Sequence, residues 1–513
     1  MVRVLNIIES ISLGGAARTV FGTAKYSSLQ GEYRHSIVSL APHKDDPAAC
    51  RLAAQNGLEL LCPTNYDQLL QLIAESDITL LQWWNSPEMD NLIRTQLPPC
   101  RLAAWVHVGG HQDPQRVPNN LLPFLDFAIA GSPYTYESEA FRLLEPALRA
   151  HKTSMVYDAT DFARLGNVGK IPHTGFNVGY IGTVDFSKMH RHYVRMSAAA
   201  SIPAARFIVC GPGSDQETLR TEAQALGRQS DFEIKGMLED ITPVLSILDA
   251  YGYPLCEDNY AAAELNLQEV MFCGIPPVVF PYGGVRHLIV NDFTGYIVHS
   301  ETEYAEALEH LYRNPAERER IGRNAAEYAR QIFGAEHAAR KFNPALETIM
   351  RTEKRGRLPF IVEQDTALPT LAALPFGATR FIESLSQAKQ PFVASMQSAD
   401  LAATLSADQA IMSSTALMKR VGIKSYRRFH ATDPYLCFWS GLVSLHDGAL
   451  VEGLTELVEA IKYNFPHWRP WWYIAQAAHK LGQLDLAKQS LAQVLTHAPE
   501  FVAARELGVR LGA

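Results

Sequence analysis

Twice in this chain an apolar strand-like run ends in glycine and hands over to a helical stretch, and that repetition constrains the fold more than any other feature. The first series begins with VRVLNIIES, GGAARTVFGTAKYSSLQ and HSIVSLA, and continues through ITLLQW, LAAWVHV and FAIAGS. The second restarts near Phe176 with NVGYIGTV and runs on through ARFIVCG, FEIKG, DAYGYPL, PPVVF and GYIVH, with helices between. Parallel strands need long crossovers, and alternation at this spacing therefore predicts two parallel sheets, each wrapped by helices. A further helix is expected over Ala335–Met350, and RTEKRGRLP, which mixes charge, glycine and proline, closes the α/β region.

A chain of 513 residues has room for a third domain. Residues 356–430 are rich in Ala and Ser with poor periodicity, the pattern of a linker with some helix. Beyond them Trp439 and Trp472, Leu454 and Ala487, Val458 and Leu491, and Pro466 and Pro499 all recur at a spacing of 33 residues, the period of helical hairpins. WWYIAQAAHKLGQLDLAKQSLAQVLTHAPE carries Ala475, Gly482, Ala487, Leu491 and Pro499 at offsets that resemble a tetratricopeptide repeat. Two hairpins bury little core, so Trp439, Trp471 and Trp472 are expected to pack on the linker helices, on the α/β domains or on a second chain. The expected division is 1–165 and 166–332 for the α/β domains, 333–355 for a returning helix, 356–430 for the linker and 431–513 for the repeats.

Composition removes several functions. A hydrophobic fraction of 47% and a charged fraction of 19% exclude wholesale disorder. Lys plus Arg number 46 against 54 Asp plus Glu, a net −8, so no global basic field exists to hold nucleic acid. MVRVLNIIES turns polar too early for a signal peptide and reads as a first strand, and no run of about 18 apolar residues spans a membrane. The seven cysteines are scattered without CxxC spacing, which points to reduced thiols, no zinc site and a cytoplasmic protein, soluble or peripheral at a membrane.

The densest chemistry lies in Asn266–Val298, where a helix start, a Gly-Ile-Pro turn, a buried strand and a GG loop share one βαβ unit. Unpaired N–H groups and the positive dipole end at that helix start, with Leu265 and Asn266, suit a phosphate. Glu269, about one turn inside, is placed to accept from ribose hydroxyls. Gly182, Gly211, Gly213 and Gly236 follow strands, and Gly14 and Gly15 let backbone N–H groups approach a ligand without Cβ obstruction. GxGxxG is not met, which argues against an ordinary NAD site. Of the adjacent Trp83 and Trp84 in QWWNSPE, one is expected in the core and one towards the cleft, because neighbouring strand residues point to opposite faces. Ser132 is expected to cap a helix.

EVMFCGIPPVV, followed by GG and TG, resembles the signature of retaining glycosyltransferases of the GT-B fold, family-4 type, whose pattern is close to E-x7-E-A-M-A-C-G-x-P-V-V. The resemblance covers about residues 1–350 in motif order. It implies two Rossmann-like domains in a GT-B arrangement, here with a C-terminal all-α helical-repeat domain, and gives Glu269 the donor ribose. The family's first Glu falls on Ala261, so Glu257, Asp258 or Glu264 is expected to deliver that carboxylate, with Glu264 nearest the helix start. In YIGTVDFSKMHRHY, Gly182 and Lys188 fit the family's pyrophosphate grip, while its arginine position is Thr183 and Arg191 or His190 is expected to substitute. His107 in AAWVHVGGH takes the place of the family's histidine beside the donor sugar, with His111 as competitor.

The function this resemblance implies is metal-independent transfer of a sugar, with retention, from a nucleotide diphosphate sugar (UDP or GDP) to an acceptor hydroxyl on a glycan, lipid or protein. No cofactor is implied. The implied catalytic residues are His107, Lys188 and Glu264; the implied donor-binding residues are Gly14, Gly15, Gly182, Lys188, Arg191, Gly211, Gly236, Leu265, Asn266 and Glu269. The repeats imply a protein partner or self-association. The alternative from another class is an inactive transferase-like scaffold, favoured by Ala261 and Thr183.

Overall fold

A computed structural model describes residues 1–166, 168–361, 375–385, 387–397, 400–414 and 422–512. The chain divides into two compact units, residues 1–84 with 91–361 and residues 85–90 with 362–513.

The first unit holds the α/β region. Its strands are β1 (Val2–Ile8), β2 (Tyr33–Ser39), β3 (Glu59–Leu61), β4 (Ile78–Trp83), β5 (Leu97–Cys100), β6 (Leu102–Val106), β7 (Phe127–Ala130) and β8 (Thr153–Met155), then β9 (Phe176–Ile181), β10 (Ala205–Cys210), β11 (Phe232–Gly236), β12 (Ala250–Tyr253), β13 (Pro277–Val279), β14 (Tyr296–Ile297) and β15 (Arg355–Arg357). Two parallel sheets result, ordered β3-β2-β1-β4-β6-β7-β8 and β11-β10-β9-β12-β13-β14. Each is a doubly wound sheet whose order reverses beside its first strand, between β1 and β4 and between β9 and β12. Central strands such as β4, β6, β7 and β9 are buried along their whole length, as strands covered by helices on both faces must be.

Helix α1 (Gly15–Gln30) follows β1, and α2 (Leu265–Phe272) follows β12. After the second sheet the chain returns through α3 (Ala335–Met350), whose Ala338, Phe342, Ala345, Leu346 and Ile349 pack with Val4, Ile78, Leu80, Trp105 and Ile129 of the first sheet. The returning segment ends in β15, which pairs antiparallel with β5.

The second unit is all helical among its described residues: α4 (Phe376–Glu383), α5 (Gln390–Gln397), α6 (Leu401–Ser413), α7 (Ile423–Phe429), α8 (Pro434–His446), α9 (Leu450–Lys462), α10 (Arg469–Lys480), α11 (Leu484–His497) and α12 (Val502–Leu511). Trp439 of α8 is fully buried against Phe381 of α4 and Phe392 of α5, so helices from the segment read as linker share one core with the hairpins. Trp472 meets Phe501 edge-on at 4.9 Å, and Trp471 packs beside it. A buried Arg469–Asp408 pair at 2.5 Å, with Tyr473 donating to Asp408 at 3.1 Å, ties α10 to α6. Part of residues 356–430 lies outside the described residues.

Candidate functional site

Open α/β sheets bind ligands beyond the carboxyl ends of their strands, at the point where strand order reverses. In the first sheet that edge carries Gly14 and Gly15 after β1, Trp84 after β4 and His107 after β6. In the second it carries Gly182 after β9, Gly211 and Gly213 after β10, and Glu264 at the start of α2. The two edges meet: a Cβ added to Gly15 would lie 3.8 Å from the Leu265 side chain, and the Gly109 N–H donates to the Tyr260 carbonyl at 2.9 Å.

The glycine loops of the second sheet are locked together. Val184 N–H donates to Pro212 O at 2.8 Å, Gly211 has φ +142°, and a Cβ on Gly213 would overlap the Val184 carbonyl oxygen. Gly213→Ala should therefore push the two loops apart, costing about 1–3 kcal/mol and weakening nucleotide binding. Thermal melting and calorimetry check this, and an unchanged melt with unchanged affinity would show that the loops yield freely. Gly236, at φ +72°, ends β11 in a conformation that suits glycine.

Of the three carboxylates weighed for the place of Ala261, the structure brings one to Lys188. Glu264 Oε2 lies 2.9 Å from Lys188 Nζ and accepts from the Tyr253 hydroxyl, whereas Glu257 and Asp258 are exposed. Burial, and after it the Glu264 charge, holds the Tyr253 phenol far above its ordinary range, so it stays a donor. Glu264 takes φ +34° as the residue before α2, a left-handed conformation costly for a residue with a Cβ and of the kind that clusters at functional sites. Ala261 is buried, and its carbonyl accepts from Gly284 N–H at 3.1 Å. Arg191 is exposed on the loop beyond Lys188, and Asn266 Nδ2 donates to Ile181 O at 2.9 Å, joining α2 to the end of β9.

Glu269 stands differently from the open ribose acceptor the motif suggests. It is fully buried, and Oε1 accepts from Arg18 of α1, from Arg164 and, at 2.9 Å, from Thr160, while Oε2 is buried without a hydrogen-bond partner. Burial and then the neighbouring Arg164 charge disfavour the Arg18 cation, and both arginines pair with the one Glu269 oxygen. Neither arginine was singled out from sequence, although Arg18 sits inside the GGAAR motif; Arg164 has no motif around it.

His107 follows β6 but its side chain is buried rather than open to the cleft, with Nδ1 2.9 Å from Asp158 Oδ1 and Nε2 2.7 Å from Gln82 Oε1. Its ring stacks on Trp105 at 5.3 Å. Burial raises the Asp158 carboxyl, and the His107 contact opposes that rise. His111 stacks on Tyr134 at 4.1 Å and bonds its carbonyl at 2.9 Å, a structural setting. Trp83 is buried; Trp84 is half-buried and meets Tyr260 edge-on at 5.6 Å, with Lys188 Nζ 5.8 Å from the same ring. Ser132 Oγ accepts from Thr135 N–H at 3.1 Å, a helix cap.

Among the described residues His190, His192 and Glu301 bring metal-ligand atoms within 4.8 Å of one another. Arg195 Nη2 already lies 3.0 and 2.8 Å from the two Glu301 oxygens and 2.9 Å from His192 Nδ1, so a guanidinium stands where a metal cation would need to enter.

Known proteins share this architecture. Two solved structures show the GT-B-type fold: Anabaena Alr3699/HepE in complex with UDP (TM-score 0.56, 18% identity, covering 67% of this chain and 100% of that one), and a glycosyltransferase from Rickettsia africae (TM-score 0.54, 13% identity, 68% and 99%). Residues 164–328, the stretch that builds the second sheet, match the family described as glycosyl transferases group 1. The chain is also 31% identical over 118 residues to the 2-deoxystreptamine N-acetyl-D-glucosaminyltransferase of Streptomyces fradiae, a match covering 22% of this chain and 27% of that protein. The chain thus spans about a quarter of the length of that curated relative.

Proposed function

We propose that the protein transfers a sugar from a nucleoside diphosphate sugar to an acceptor hydroxyl, with retention at the anomeric carbon and without a metal to assist departure of the pyrophosphate. The observation that carries this reading is the Lys188–Glu264 pair at 2.9 Å, set where the loop after β9 meets the start of α2, whose first residue, Leu265, lies beside Gly15. On donor binding the β-phosphate takes Lys188, and the first N–H groups of α2, at Leu265 and Asn266, complete an anion seat. Charge that develops on the leaving diphosphate is then stabilised by groups already in place, which is electrostatic catalysis. Glu264, released from Lys188, supplies beside the donor sugar the carboxylate that Ala261 lacks.

UDP is the favoured nucleotide, since the Anabaena protein of this fold was crystallised with UDP and with UDP-glucose. The tetratricopeptide-like hairpins of the second unit would engage the acceptor or a protein partner. Calorimetry with UDP and GDP, followed by hydrolysis of UDP-, GDP- and ADP-sugars in the presence of a chelator, tests the reading. UDP binding with chelator-resistant hydrolysis of one UDP-sugar is expected. Binding without turnover would mean an inactive relative, and binding of neither nucleotide would remove the site assignment.

A further inference from the structure

Two aromatic rings, one from each α/β half, meet on the cleft edge of the first unit. Trp84, the residue after β4, lies at the carboxyl edge of the first sheet where its strand order reverses, the position at which such sheets take ligands. Its partner is Tyr260, from the loop between β12 and α2, with ring centroids 5.6 Å apart and planes at 79°. Lys188 Nζ lies 5.8 Å from the centre of the same Tyr260 ring. The end of β4, the loop after β9 and the loop before α2 thus converge on one point.

The backbone beneath Tyr260 is pinned on both sides. Asn259 is buried, its Oδ1 accepting from Ala261 N–H at 2.9 Å and its Nδ2 donating to the Cys256 carbonyl at 2.5 Å. Gly109 N–H donates to the Tyr260 carbonyl at 2.9 Å, and Gly284 N–H to the Ala261 carbonyl at 3.1 Å. Buried residues therefore flank a ring that is itself only half-buried, as Trp84 is, whereas Trp83 is 2% exposed. A rigid turn that presents an aromatic ring loses little freedom when that ring takes a ligand. Both polar tips are also available: the Trp84 indole N–H and the Tyr260 hydroxyl make no hydrogen bond among the described residues. Apolar faces with polar tips match a pyranose, whose C–H groups form a flat apolar face and whose hydroxyls surround it. An acyl chain would leave both donors without an acceptor.

We propose that Trp84 and Tyr260 form a carbohydrate platform on which a pyranose ring of the acceptor stacks, so that the acceptor is a glycan or glycoside. The Tyr260 ring neighbours both Trp84 and Lys188, so a sugar resting there brings its hydroxyls towards the anomeric carbon of a donor whose diphosphate Lys188 holds. That the ring is an acceptor rests on the transferase reading; that a pyranose binds there does not.

Saturation-transfer NMR on the full chain, filled with UDP, tests this with methyl glucoside, methyl galactoside and methyl N-acetylglucosaminide as probes and glycerol as an acyclic control. At least one glycoside should receive saturation on the protons of one ring face, and glycerol none. Trp84→Leu and Tyr260→Leu keep apolar bulk without an aromatic face. Each should weaken that glycoside about tenfold, while Trp84→Phe should cost less than about threefold. UDP affinity should hold in Trp84→Leu. Binding of no glycoside, or equal binding in the unmodified protein and both leucine variants, would overturn the proposal. A loss in Trp84→Leu confined to UDP-glucose would give the platform to the donor sugar and overturn it as well. If UDP does not bind, the transferase reading fails, and the glycosides alone decide the platform through the same leucine variants.

Discussion

Replacing Lys188 by alanine should cut donor turnover by about 10²- to 10³-fold while raising the donor KM by less than about tenfold. The asymmetry follows from where charge grows. A nucleoside diphosphate sugar gains negative charge on its leaving oxygen as the glycosidic bond stretches, and an ammonium next to that oxygen is worth more in the transition state than in the bound ground state. Lys188 is held for this by Glu264 at 2.9 Å, and Glu264 is held by its own strained backbone and by Tyr253. Steady-state kinetics across donor concentration separate the two parameters. A change confined to KM would mean that Lys188 binds the diphosphate and contributes nothing to its departure.

The second large effect concerns stability. Glu269→Ala removes the anion shared by Arg18 and Arg164, and breaking a buried ion pair from one side costs about 3–5 kcal/mol because the remaining charge is left uncompensated. The fully buried carboxylate has no solvent to replace it. Denaturant unfolding followed by tryptophan fluorescence should show the transition of the first unit at clearly lower midpoint, with nucleotide affinity lost as well. Pairing Glu269→Leu with Arg18→Met should recover part of the loss, since an apolar replacement of both partners leaves fewer orphaned charges. If Glu269→Ala unfolds at the wild-type midpoint, the cluster carries no net stabilisation and its role is confined to the ligand.

Much of this fold could be read along the chain because parallel strands covered on both faces are continuous apolar runs. FAIA, LAAWV and FNVGYI are strands for that reason, and the glycines after them mark the carboxyl edges where Lys188, Glu264 and His107 sit. The short strands escaped. β3 and β8 have three residues each, and β5 contains two prolines, which argue against a ladder until β15 returns from more than 250 positions away to pair with it. Within the site, spacing could propose Lys188 and Glu264 but could not choose Glu264 over Glu257 or Asp258, because the choice depends on how the loop before α2 turns at Glu264. Arg18, Arg164, Asp158 and Gln82 lay beyond reach for a simpler reason. Each acts through a partner brought near by the sheets, and no local pattern records it.

The returning helix α3 has a consequence for synthesis. One face of the first sheet is closed by Ala338, Phe342, Leu346 and Ile349, so that sheet, whose strands end at Met155, lacks part of its core until residues near 350 have emerged. The second sheet with its helices is contiguous in the chain and can close without waiting for that segment. Domains made on the ribosome ordinarily fold in the order they appear; here the order of completion is reversed, and the nascent first sheet spends the translation of the entire second domain with an apolar face uncovered.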